Sequence, residues 1–176
     1  MANQTNKIAL AVEPLKASAV ENAQGYAIKV IANVKRILAE NDWDRKKVCP
    51  YPSGCDPEYK AKIAKIELFT KLTTAVYASR NYHDPDIRKE SETAEARFIA
   101  NAVADAEAQF IEYTHKLNKK IGDVKTAELV GANLWSHSVI IVTKEDGTIE
   151  KWRTQQILNV SKHGKVFAQY PTRKTK

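Results

Sequence analysis

Apolar residues recur at steps of three and four through the first two-thirds of the chain, then alternate with polar ones in the last third. Between residues 14 and 41 the apolar positions are Leu15, Ala19, Ala23, Ala27, Val30, Val34, Ile37 and Leu38. That spacing puts them on one stripe of an amphipathic helix. Pro14 suits its first turn, where a missing N–H costs nothing. Gly25 lies inside, costs about 1 kcal/mol relative to Ala, and is expected to mark a kink or a close helix crossing. Pro50, Pro52 and Gly54 in "VCPYPSGCD" end the pattern. Trp43 and Tyr51 are expected to tuck against the bundle end. "DPEYK" then restarts a helix, with Asp56 as N-cap, Pro57 in the first turn and Glu58 near the positive end of the dipole. Its stripe is Ile63, Ile66, Phe69, Leu72, Val76 and Tyr77. A third helix, capped by Asp84–Pro85 or by Ser91, runs to about residue 120 with Phe98, Ala102, Ala106, Phe110, Tyr113 and Leu117 inward. Gly122 is its stop.

After residue 125 the period changes to two. "HSVIIVT" and "TIEKWRT" flank "EDG", a hairpin signal with Gly147 in a left-handed position. "QQILNVS" and "VFAQY" read as further strands around a turn at Gly164, the last ending at Pro171. "AELVGANLW" is a candidate extra edge. The expected fold is α+β: a three-helix antiparallel bundle followed by a small three- or four-stranded antiparallel β-meander. The expected division is residues 1–124 as helical bundle and residues 125–176 as a basic β-meander packed on it, the two making one folded unit. A sheet of so few strands needs a cover on one face. The second helix is the shortest, so part of the long pair is left to a second copy, which suggests a homo-oligomer.

Charge changes this picture at one end. Of 28 Lys and Arg, seven lie from Lys151 onward, where there is no Asp or Glu. The first 150 residues therefore balance, and the net charge of +7 sits at the C-terminal end. Such a field favours a polyanion or an acidic protein face. "NVSKHGKVFAQYPTRK" also interleaves aromatics and hydrogen-bonding side chains with cations, the mixture a single-stranded nucleic-acid groove uses. The candidate contacts are Lys151, Arg153, Lys162, Lys165, Arg173 and Lys174 on phosphates, with Tyr170 stacking. Phe167 and Tyr170 alternate along one strand and cannot share a flat face, so Trp152 and Phe167 are assigned to the core. Asn159, Ser161 and Gln169, with Lys165, are candidate polar contacts for a small ligand or nucleotide.

Catalytic chemistry has little purchase. No Gly-rich phosphate loop or Gly-x-Ser-x-Gly elbow is present, and in "WSHS" neighbouring strand side chains point to opposite faces. No catalytic residue, metal site or cofactor is expected. Cys49 and Cys55 are five residues apart, wider than a zinc knuckle. They read as reduced thiols unless the setting is oxidising, and a mixed site with His83 is the weaker alternative. "HDPD" reads as helix-start chemistry. The N-terminal apolar stretch is interrupted by Glu13, and no apolar run approaches the ~20 residues a spanning helix needs. The expectation is a cytoplasmic protein with no membrane contact.

The hairpin "KEDGT", followed by "KWRT", "ILNVSKHGKVF" and "QYPTR", resembles the closing segment of small uncharacterised phage and mobile-element proteins. The resemblance covers about residues 137–173. It implies a phage-type origin and host-cell cytoplasm, and it carries no activity. The favoured function is non-enzymatic nucleic-acid binding through the basic C-terminal sheet and tail. The alternatives are a phage-type module that inhibits or redirects a host complex, and a nucleotide or small-molecule binder.

Overall fold

The computed structural model describes residues 6–40, 85–131, 138–161 and 165–175. The expected second helix from Asp56, the loop with Trp43, Cys49, Tyr51 and Cys55, His83, Asp84, Lys162 and the Gly164 turn lie outside the described residues. The described chain is α+β, with helices first and antiparallel strands after. The helices are α1 (Lys7–Val12), α2 (Pro14–Glu40) and α3 (Pro85–Ile121). The strands are β1 (Thr126–Val130), β2 (Val139–Thr143), β3 (Ile149–Thr154), β4 (Ile157–Val160), β5 (Val166–Gln169) and β6 (Thr172–Thr175). No helix among the described residues is long and apolar enough to cross a membrane.

Where they are described, the stripes of the long helices fall where the period put them. Leu15, Ala19, Ala23, Ala27 and Val30 are buried, as are Phe98, Ala102, Ala106, Phe110, Tyr113 and Leu117. The short α1 was not legible as a separate element. Asn6 caps it, its side-chain oxygen accepting from the Ala9 N–H at 3.0 Å. It cannot run smoothly into α2, because Pro14 lacks the N–H that would bond the Leu10 carbonyl. The Glu13 N–H takes that carbonyl at 3.4 Å instead.

The chain divides into two compact units. One comprises residues 1–23, 104–158 and 168–176, the other residues 24–103 and 159–167. In the first unit, β1, β2, β3 and β6 form one antiparallel sheet in the order β1-β2-β3-β6. Its inner face carries Ile140, Val142 and Trp152, packed against Ile8, Val12, Leu15, Phe110, Leu117 and neighbouring apolar side chains. Gly147 has φ 84°, as the hairpin required. Gly122, at φ 76°, ends α3, its N–H bonding the Asn118 carbonyl at 2.8 Å. The Lys144 amine donates to the Ile121 carbonyl, so a cation sits at the negative end of α3.

One expectation for the strands is corrected. The sheet is not a continuous meander, because β4 and β5 form a separate two-stranded ribbon. β5 ends before Pro171, as expected, and a further strand follows it. Thr172–Thr175 returns as β6 beside β3, with Arg153 opposite Arg173 and Thr154 opposite Thr172. Threonine suits that pairing, and Thr154 and Thr172 share a buried hydroxyl–hydroxyl bond of 2.8 Å.

In the second unit, α2 buries Ala27, Val30 and Ile31, and α3 buries Phe98 and Ala102. Lys35 and Glu95 form an ion pair there. Gly25 was expected at a close crossing, but among the described residues nothing lies within 4 Å of where its Cβ would stand. Its remaining effect is the entropic cost of glycine in a helix. Gly25→Ala is therefore expected to stabilise the protein by about 0.5–1 kcal/mol, read as a raised urea midpoint at unchanged slope.

Candidate functional site

Period-two alternation sorts the C-terminal cations by face. On β3, Trp152 and Thr154 point inward, so Lys151 and Arg153 point outward and are exposed. On β6, Thr172 is buried and Arg173 exposed. The register aligns the outer side chains in rows: Val130, Val139, Arg153 and Arg173 in one, and Glu128, Ile141, Lys151 and Thr175 in the next. Two arginines thus stand directly opposite each other on an exposed face. Among the described residues neither forms a salt bridge.

Lys174 does not join them. It lies on the opposite face, paired with Trp152 in the register, and its amine bonds Glu150 at 2.6 Å. Glu150 also accepts from the Trp152 indole N–H at 3.0 Å. The hydrogen bond from Lys174 holds the Glu150 carboxyl below the usual carboxylate range. Lys174, expected on phosphate, is therefore engaged by Glu150 within the sheet.

Lys165 is exposed just before β5 and belongs to the other unit, with Asn159 and Ser161. The Ser161 hydroxyl accepts from the Lys165 N–H at 3.0 Å. Gln169 belongs to the first unit. Trp152 is in the core as expected, but Phe167 is half-buried and Val166 takes the buried position of β5.

Tyr170, expected to stack on a base, is half-buried with its ring stacked on Tyr113 at 4.7 Å between centroids. Tyr113 is anchored in turn by its hydroxyl, 3.0 Å from that of Thr154. Burial pushes both phenols above their ordinary value of 10.0. The folded state then holds these protons more tightly than the unfolded chain. Their contribution to stability is complete below the ordinary phenol pKa and is lost as pH rises through the raised folded values. Urea midpoints are expected to fall as pH rises past the ordinary phenol value of 10.0, and less steeply in Tyr113→Phe.

Arg153 and Arg173 open onto a cleft of about 620 Å³ at the β6 edge of the sheet, with Gln155, Tyr170 and Pro171 on its wall. Lys120, from the last turn of α3, completes the basic lining. Its amine donates to the Thr172 carbonyl, covering an edge-strand acceptor, and lies 5.5 Å from the Trp152 ring centroid. Among the described residues, no carboxylate lines this cleft. Lys120 and Gln155 were missed from the sequence. Lys120 read only as a cation near a helix end, and nothing local shows that β6 returns to it. No protein-family model, curated protein or solved structure matches the chain.

Proposed function

We propose that this is a non-enzymatic nucleic-acid-binding protein that holds phosphate at the β3–β6 side of its sheet. The observation that carries this is the Arg153–Arg173 cross-strand pair, exposed and without salt bridges among the described residues. Like charges directly opposite on a sheet cost about 0.2–1 kcal/mol. An anion between them removes the cost and gains charge-assisted hydrogen bonds from two guanidinium forks. Lys151 and Lys120 extend the positive surface on either side. The bound strand contributes phosphates, which position it without specifying sequence.

The test is anisotropy titration of a labelled single-stranded oligonucleotide over a range of salt concentrations. Affinity should fall steeply as salt rises, with a slope of about −0.7 per phosphate contacted. Arg153→Gln and Arg173→Gln should each flatten that slope while slightly raising stability. No binding at low salt, or slopes equal to that of the parent protein, rejects the proposal.

An acidic protein face is the second reading. Val130 and Ile149 are exposed on the same outer face as the arginines, with Val139 and Ile141 half-buried between them. Apolar rows beside cations suit a protein contact more than a phosphate track. A defined complex with an acidic partner that persists after nuclease treatment would favour it.

A further inference from the structure

The basic cleft has a neighbour. A second cleft of about 410 Å³ shares Tyr170 and Pro171 with it. Gln109, Tyr113 and Lys116 line the second cleft and Lys120 the first. Their spacing puts all four on one face of α3. The two compartments thus follow a single helix stripe and meet at Tyr170–Pro171. They differ in charge. Among the described residues, the first contains three cations and no carboxylate. In the second, Lys116 is neutralised by Glu112 at 2.6 Å, and Tyr113, Pro171 and the exposed amide of Gln169 give an apolar and hydrogen-bonding wall.

Resting on the nucleic-acid reading, we infer that the paired clefts take a phosphorylated strand end, with a phosphomonoester in the basic compartment and the attached base in the other. Three cations around one seat exceed the single charge of an internal phosphodiester. A monoester carries about −1.5 to −2 at neutral pH, with its second ionisation near 6. Lys120 is already held at the edge of the seat by Thr172 and Trp152, so little ordering is left to bind it. The Lys116–Glu112 pair leaves no net positive charge for a second phosphate in the adjoining compartment, whose wall suits a planar polar ring.

The experiment compares 5′-phosphorylated, 3′-phosphorylated and unphosphorylated forms of one short oligothymidylate, with thymidine monophosphate as a fourth probe, on the full chain. One phosphorylated end should bind about tenfold tighter than the unphosphorylated form. That preference should shrink as pH falls below about 6. It should also be lost in Lys120→Gln, with Arg173→Gln as a second variant should the first fold poorly. Thymidine monophosphate matching the oligonucleotide would support the seat and make a free nucleotide its occupant. Equal binding of all oligonucleotides, still weakened by the arginine variants, overturns the end-specific seat and leaves the general phosphate surface standing. Absence of binding to every probe overturns both.

Discussion

Replacing Arg153 and Arg173 together with glutamate is expected to weaken binding of a single-stranded oligonucleotide by about 100-fold or more at low salt. A hydrogen bond to a charged group contributes about 1.5–3 kcal/mol net. Two such contacts give about 3–6 kcal/mol, and each 1.4 kcal/mol is about tenfold. Charge reversal adds repulsion to the loss. The salt slope should fall by about 0.7, the share of the one phosphate held between them on a single strand. Both side chains are exposed and lack ion-pair partners among the described residues, so folding should be little affected. A two- or threefold loss at unchanged slope would show that the strand lies elsewhere.

Phe110→Ala should act in the opposite way, costing stability before it touches binding. Phe110 is 2% exposed in the shared core of α3, the N-terminal helices and the sheet. Truncating a buried phenylalanine costs about 3–5 kcal/mol, the lost transfer energy plus the cavity left behind. Against a typical domain stability of about 5–15 kcal/mol, that is a large fraction. The ring lies 5.8 Å from that of Tyr113, which stacks on Tyr170. The cavity would therefore loosen the aromatic pair, of which Tyr170 lines both clefts and Tyr113 the second. Urea unfolding gives the size of the loss, and binding by the remaining folded protein shows how far it spreads. A cost below about 1 kcal/mol would mean the core is not centred there.

These two substitutions separate what was readable along the chain from what was not. The place of Phe110 is visible in the spacing Phe98, Ala102, Ala106, Phe110, Tyr113 and Leu117, because a 3.6-residue period leaves one stripe to bury. Lys151 and Arg153 are likewise visible as an outward pair, since alternation with Trp152 allows no other arrangement. Both depend only on neighbours a few residues away.

The partner of Arg153 could not be read this way. Arg173 lies 20 positions on, past a ribbon that pairs only with itself, and either residue of "RK" could have faced outward. The return of β6 to β3 turned Arg173 out and left Lys174 to Glu150. It also brought Lys120 to the cleft and set Tyr170 against Tyr113. Local periodicity determines which face of an element is apolar, because burial is decided side chain by side chain. Which elements become neighbours depends on pairing across long loops, and here that pairing alone made the basic cleft.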